Sequence, residues 1–438
     1  MKTNIHFTTP EEAVKVIKSG DHVHFSAVAS APQCLIKAMC ERGERGELHD
    51  VHVHHLHTEG PAPYADPKFE GIFQLDSFFV GANVRKMTQL NYADYIPVFL
   101  SETQKLYRCG AVPCNVAMIQ VCPPDKHGYV SLGTSVDATL AAVECADHVI
   151  AVINPNVPRS FGQAMIPMSK IDIFVQDDTP LIEAVPGPIS EIDAAIGRNC
   201  AALIEDGATL QMGIGAIPNA VLSQLGNHKN PGIHTEMFAD GVLPLVDKGV
   251  INGEAKKTDP GKIVSTFLMG SKEVYDFIDD NPGVLMMDVG YTNDPYIMSQ
   301  NDRMTAINSA LQIDLTGQVS ADSLGTKFWS VAGGQIDFVY GASLSKGGKA
   351  IIAMPSMTNK GVSKICPTLL DGAGVVTTRF HAHWIVTEYG AVDLYGKSMQ
   401  ERARLLISIA HPDAREALDK AAFERWGSHH HYIKSCME

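Results

Sequence analysis

The chain has 438 residues, too many for one ordinary hydrophobic core, so two or three domains are expected. With 45% hydrophobic and 19% charged residues it has a globular composition and is not a disordered chain. A formal net charge of −14 argues against a general nucleic-acid binder, and an anionic ligand would need a local cationic mouth. No apolar run reaches the length of a membrane span and Met1 to His6 lacks a secretory h-region, so a cytoplasmic protein with no membrane partner is expected. The nine cysteines are scattered singly with no CxxC pair, which predicts reduced thiols rather than a disulfide frame. Cys200 and the other thiols have no base beside them in sequence and read as buried structural residues.

In chain order, Glu11 to Lys18 predicts a helix, His22 to Phe25 a strand, Ser26 to Ala31 a small-residue turn, and Pro32 the entry to a second helix. His52, His54, His55 and His57 follow. Strand alternation puts 52 and 54 on one face and 55 and 57 on the other, so at most two could share an ion. A partner pair such as His381 and His383 would be needed, and no HExxH or CxxC spacing supports one, so no metal is expected. His429 to His431 reads as a surface tract that could bind a metal only adventitiously. His148 to Ile153 is an apolar strand of the kind found between helices. Pro186-Gly187-Pro188 predicts a boundary that divides the chain into domains 1–188 and 189–438.

Beyond that boundary the first pattern returns. Glu191 to Glu205 predicts a helix, Asp206-Gly207 a turn, Thr209 to Met212 a strand, then a small-residue turn, Pro218 at the opening position of a helix, and the helix. A second echo pairs His127 to Gly133 with Gly317 to Gly325. Two echoes in the same order predict a duplication. The expected fold class is α/β, with two similar open-sheet domains facing across an active-site cleft at the carboxyl ends of their strands.

Gly213-Ile214-Gly215 is the strongest local signal. A glycine-rich strand-to-helix turn lets a ligand approach the backbone and aims free N–H groups at negative charge. It is not the dinucleotide fingerprint, because Pro218 stands where the third glycine would be. Glu236 follows twenty-one residues after Gly215 and, read alone, is a surface carboxylate capping a helix; its place after the glycine turn and the motifs below set it apart. Ala332 to Phe338 reads either as a tight turn between strands or as backbone approaching a ligand. Glu388 follows the apolar strand Trp384 to Val386 and is either a cap or a crevice residue. Lys360 and Lys364 are solvated loop lysines or counter-charges for phosphate.

Taken together, Gly213 to Val221, Gly232 to Val242, Gly333 to Phe338 and Thr387 to Gly390 resemble the acetyl-CoA hydrolase/transferase family of CoA-transferases. Within it the motifs are most similar to the 4-hydroxybutyrate and butyryl-CoA:acetate CoA-transferases. Cys122 to Gly128 and Ile409 to Asp413 extend the likeness over nearly the whole chain.

The resemblance implies ping-pong transfer of CoA between a short-chain acyl-CoA and a short carboxylate, with Glu236 as nucleophile and a glutamyl-CoA thioester as intermediate. It implies oxyanion donors at Ile214 and Gly334, each worth roughly 3–4 kcal/mol of barrier in other acyl-transfer enzymes. It places CoA along Gln211, Met212, Gly213, Ile214, Gly215, Leu311, Gly333, Gly334, Asn359 and Lys360, and gives Glu388 a supporting role. It also implies no cofactor beyond CoA and a homodimer or homotetramer. The sequence departs from the family in two places. Asn359 stands where relatives carry a lysine, with Lys360 next to it, and Val331-Ala332 replaces a more flexible pair before Gly333. The competing readings are an acyl-CoA hydrolase, in which water replaces the acceptor, and a non-catalytic ligand sensor, which would tolerate loss of Glu236.

Overall fold

The computed structural model describes residues 5–184 and 187–427. Pro186 of the expected boundary, the His429 to His431 tract and Cys436 lie outside the described residues.

The N-terminal half is built on eight strands: Phe7–Thr8 (β1), His22–Phe25 (β2), Val51–His54 (β3), Phe73–Ser77 (β4), Ala93–Tyr95 (β5), Val116–Val121 (β6), His148–Ile153 (β7) and Ile173–Gln176 (β8). They form one parallel sheet in the order β1-β8-β7-β6-β2-β3-β4-β5. Every residue of β6 is buried, and every residue of β7 except His148, as strands covered on both faces require.

The C-terminal half carries Thr209–Met212 (β9), Gly232–Ile233 (β10), Met304–Asn308 (β11), Lys349–Ala353 (β12), Trp384–Thr387 (β13) and Gly390–Asp393 (β14), in the order β10-β9-β11-β12-β13-β14. Only the β13–β14 pair is antiparallel. The run β3-β2-β6-β7-β8 in the first sheet and β10-β9-β11-β12-β13 in the second thus have the same order and sense. Both sheets are open α/β sheets of one type. In each, the strand order reverses beside the strand that opens the repeat, β2 or β9, and such a switch point leaves a crevice at the strand ends.

The halves share one apolar core. Ala27, Val28, Leu56 and Phe78 belong to the same buried cluster as Met212, Ile307 and Val386. Backbone pairing joins them as well, since Phe161–Gly162 runs parallel to Val284–Met286.

Several helix ends differ from expectation. The first helix covers Pro10–Ala13, capped by Thr9, and tightens into a 3-10 turn at Val14–Val16 before reaching Lys18. The helix expected to reach Glu205 is Glu191–Ala201. It is started by a reciprocal Ser190–Asp193 cap and ended by turns in which Leu203 and Ile204 donate only three residues back. The helix Ala216–Gln224 begins two residues before Pro218. Pro218 is tolerated there because the first four helical amides have no intrahelical acceptor.

His52 and His54 share a face and both stack on His22, with ring centroids 4.5 and 5.0 Å away. His55 hydrogen-bonds Tyr64, and His57 stacks on Phe79. His381 and His383 contact Tyr340 and Tyr395 in the other half. Among the described residues, no three metal-binding side chains converge. The thiols are more mixed than expected. Cys40, Cys114, Cys122 and Cys200 are buried, whereas Cys109 and Cys145 are exposed at the ends of short helices. Burial pushes the Cys200 thiol up to about 12, so it stays protonated. No described helix is long and apolar enough to cross a membrane.

Candidate active site

The site lies at the switch point of the second sheet. At the ends of adjacent strands, Asn308 Nδ2 donates to Gln211 Oε1 at 3.0 Å, which fixes two amides side by side at the crevice floor. The chain leaves β9 through Gly213-Ile214-Gly215. Gly215 has φ +116°, a conformation that residues with a Cβ rarely adopt, and it turns the strand directly into the helix Ala216–Gln224. The cavity above has a volume of about 400 Å³. It is lined by Gln211, Gly213, Ile214, Glu236, Asn308, Ser309 and the loop Val331 to Gln335, and Phe79 reaches in from the N-terminal half.

Glu236 caps no helix. It sits at a bend between the short strands Gly232–Ile233 and Met237–Phe238, and the backbone is paired around it: Thr235 N–H donates to Val264, and the Glu236 carbonyl accepts from Thr266 and Phe267. This pins the backbone and leaves the side chain facing the cavity. Oε2 accepts from Asn293 Nδ2 at 3.1 Å, and the Gly334 backbone lies directly against the carboxylate. The Ala332 to Phe338 segment is a turn leading into the helix Gln335–Leu344, not a link between strands. Gly333 has φ +54°, and a Cβ on Gly334 would overlap Glu236 Oε2 and Asn293 Nδ2. Gly334 is therefore required by the close approach of backbone and carboxylate, and Gly333 by its left-handed backbone.

Burial is the main cause that pushes the Glu236 carboxyl up to about 7, opposed by Asn293 and raised further by Asp337. Asp337 is itself raised to about 6 by burial, against two hydrogen bonds from Ser101, N–H at 3.1 Å and Oγ at 2.8 Å. Asn293 Nδ2 lies between the two carboxyls, 3.4 Å from Asp337, whose charge adds to the rise at Glu236. His234 is buried and depressed to about 4, first by burial and then by the charge of Lys256, hence neutral.

A pH profile follows from these shifts. The nucleophile role that the resemblance implies for Glu236 needs the carboxylate, so on that expectation kcat/KM for an acyl-CoA should fall about tenfold per pH unit below an apparent midpoint near 7 and be flat above it. Asp337→Asn removes a negative neighbour, so Glu236 should ionise more readily and the limb should move to lower pH. An unmoved limb would show that the two carboxyls are not coupled.

Gln211, Gly213, Ile214, Gly333, Gly334 and Glu236 thus meet around one cavity. Met212 is buried beneath it, with its N–H 3.3 Å from Thr235 Oγ1. Leu311, Asn359, Lys360 and Glu388 lie outside this cavity. Leu311 pairs with Ser320, and Asn359 and Lys360 are exposed at the tip of a turn closed by Met357 and Ser363. Both oxygens of Glu388 are held by Ser356, through its N–H at 2.9 Å and its Oγ at 2.5 Å. Lys364 is depressed to about 8 by burial, against the pull of neighbouring Glu388, so it is no freely solvated lysine. The residues that hold Glu236 and shape its cavity, Asn293, Asp337, Ser101, Asn308, Ser309, Asp193 and Phe79, were not read from the sequence. Asp337 lay within a quoted motif; the others carry no local signal.

Two family descriptions match the chain: the acetyl-CoA hydrolase/transferase N-terminal domain over residues 4–186 and its C-terminal domain over residues 270–422. A succinyl-CoA:acetate/propanoyl-CoA:succinate CoA transferase of Fasciola hepatica is 50% identical, over 95% of this chain and 87% of that protein. A 4-hydroxybutyrate coenzyme A transferase of Clostridium kluyveri is 47% identical, over 94% and 95%. The crystal structure of a 4-hydroxybutyrate CoA-transferase from Porphyromonas gingivalis superposes with a TM-score of 0.83 at 39% identity, covering 96% of this chain and 98% of that one. Paired α/β sheets, a carboxylate set against a glycine loop, and relatives matched over nearly their full length define an enzyme of the CoA-transferase class. Within that class, the chain belongs to the acetyl-CoA hydrolase/transferase family.

Proposed function

We propose that this enzyme moves CoA between a short-chain acyl-CoA and a short carboxylate, 4-hydroxybutyrate or butyrate exchanging with acetate, through a thioester on Glu236. The observation that carries the reading is the Glu236 carboxylate, held by Asn293 against the Gly334 backbone at the wall of a cavity lined by two glycine turns. Glu236 attacks the acyl carbonyl, the C–S bond breaks, and a mixed anhydride and CoA thiolate form. The thiolate then attacks the glutamyl carbonyl and releases the first acid, leaving glutamyl-CoA. An incoming carboxylate reverses both steps. A carboxylate nucleophile suits this chemistry because it keeps the thioester's energy in acyl form while a closed site keeps water out. Each addition creates an oxyanion, for which the N–H groups of Ile214 and Gly334 are the donors.

CoA extends from Gln211 to Gly215 and past Leu311 toward Asn359 and Lys360, whose exposed lysine offers a charge to the phosphates. The same reading makes the protein a cytoplasmic homodimer or homotetramer that needs no cofactor beyond CoA. The free acid meets the N-terminal half. Phe79 borders the cavity and stacks on His57, whose carbonyl accepts from Val28 N–H at 2.6 Å, so the turn after β2 stands behind this wall.

The test is mass spectrometry of enzyme mixed with butyryl-CoA and no acceptor. A CoA-sized adduct on the peptide bearing Glu236 is expected, followed by transfer to acetate when it is added. Steady release of free CoA without acceptor, at the rate seen with acceptor, would make the protein a hydrolase.

A further inference from the structure

A buried polar chain runs behind that wall. Val28 has φ +44° and Asp137 has φ +25°. A β-branched residue in the left-handed region is strained and persists only where its surroundings over-determine it. Here the turn is tied at several points. Ala27 N–H donates to Ser135 Oγ at 3.2 Å, Ser26 Oγ donates to Ser30 O at 2.7 Å, and the Ser30 and Thr134 hydroxyls lie 2.7 Å apart. Ser135 passes its single hydroxyl hydrogen to Asp137 Oδ2, while Asp137 Oδ1 accepts Thr139 N–H and Oγ–H, both at 2.9 Å. Thr139 Oγ1 has given its hydrogen, so it accepts from His24 Nε2 at 3.1 Å, and His24 Nδ1 accepts from Tyr107 OH at 2.9 Å. Burial depresses His24 to about 3, which keeps it in the neutral form this chain of donors requires. Ser135, Asp137 and Thr139 are wholly buried, so each lone pair or hydrogen lost has no water to replace it.

The other edge of the same segment meets the nucleophile's backbone. Val136 and Asp137 N–H donate to Thr266 O, and Thr266 N–H donates to Glu236 O. The segment therefore spans from the turn after β2 to the backbone that carries Glu236.

We propose that Asp137 is a positioning residue: through Ser135 it holds the Ala27–Ser30 turn in register with Glu236, and so sets how well a free carboxylate is bound at the acceptor wall. The proposal rests on the CoA-transferase reading. It separates the two substrates because the donor's acyl group arrives tethered to CoA, whose contacts lie on the C-terminal half, whereas the free acid has only the wall to hold it. Asp137→Asn puts an N–H where one accepted hydrogen bond used to be, so either Ser135 or Thr139 loses its acceptor.

The experiment measures both half-reactions in Asp137→Asn and, as a second variant in case the first does not fold, in Ser135→Ala. The expected result is a loss of about tenfold or more in kcat/KM for acetate, the size of one charge-assisted hydrogen bond. Single-turnover butyrate release from butyryl-CoA, with formation of the glutamyl-CoA adduct, should change by less than about threefold. Hydrogen-exchange mass spectrometry of the peptide containing Ala27 should show faster exchange in both variants. Equal losses in both half-reactions, no loss in either, or acceptor loss with unaltered exchange at Ala27 would each overturn the proposal. If the native enzyme transfers CoA to no acid, the transferase reading fails, and the positioning role then stands or falls on Ala27 exchange alone.

Discussion

Glu236→Gln is expected to lower CoA transfer by at least about three orders of magnitude, within the range seen when an acyl-transfer enzyme loses its nucleophile. The amide has nearly the shape of the carboxylate but cannot form the anhydride, so acyl-CoA should still bind and no CoA adduct should appear. Glu236→Asp keeps the charge but withdraws it by one methylene. Reacting atoms must lie within roughly 3–3.5 Å, and the paired backbone on both sides of residue 236 cannot follow, so a loss on the order of 10²-fold is expected. Stability moves the other way. Glu236 is raised in the folded state, so the native protein binds its proton more tightly than the unfolded chain does. That contribution is fully present below the unfolded pKa and is lost as pH rises to about 7. Above pH 7 the ionised group is therefore a burden on folding, and Glu236→Gln should melt at an equal or higher temperature than the native enzyme at pH 8. Thermal melts and steady-state assays on the same samples test both halves. A variant that loses activity only because it melts early would refute the role, and so would near-normal transfer by the Gln variant.

What was legible in the sequence, and what was not, follows from how each contact is built. The Gly213-Ile214-Gly215 turn is a local device: a glycine at φ +116° after a buried strand is written in adjacent residues. The doubled strand order is legible for the same reason, because the helix-turn-strand-turn-helix series recurs within short windows around His22 and Thr209. Asn293 is different. It reaches Glu236 across 57 residues through a side chain with no periodic or spaced partner, and Ser101 reaches Asp337 across 236. Nothing in either neighbourhood announces the contact. The stacking of His57 on Phe79 belongs to the same kind, since alternation sets the face of His57 but not the ring it meets. Helix ends were misjudged where turns of three-residue reach replace four-residue ones, as at Leu203 and Ile204, because propensity is nearly the same on both sides of that change.

Gly334→Ala is the most severe test of the proposed oxyanion role of this loop, because the change adds one methyl group and removes no chemistry. A Cβ at this position would overlap Glu236 Oε2 and Asn293 Nδ2 and lie 3.2 Å from Glu236 Cδ. The conflict cannot be relieved cheaply. The Glu236 backbone is locked by Val264, Thr266 and Phe267, the Asn293 amide is held between two carboxyls, and Gly334 itself caps the helix Gln335–Leu344. Either the carboxylate rotates away from the cavity or the loop retreats and withdraws the Gly334 N–H. The first displaces the nucleophile, and a misplacement of about 1 Å costs on the order of 10²-fold. The second withdraws the proposed oxyanion donor, and loss of one such donor costs about 10²–10³-fold in acyl-transfer enzymes. Stability should fall by only about 1–3 kcal/mol, the usual range for one inserted methylene in a packed site. Gly333→Ala provides the contrast. Its Cβ would lie 3.7 Å from Phe79 and 4.0 Å from Glu236 Oε1, ordinary contact distances, so its effect comes only from strain at φ +54°. Steady-state kinetics on both variants should therefore show the larger loss of kcat at Gly334. If Gly333→Ala proved the more damaging, the close approach of Gly334 to the carboxylate would not be what the reaction depends on.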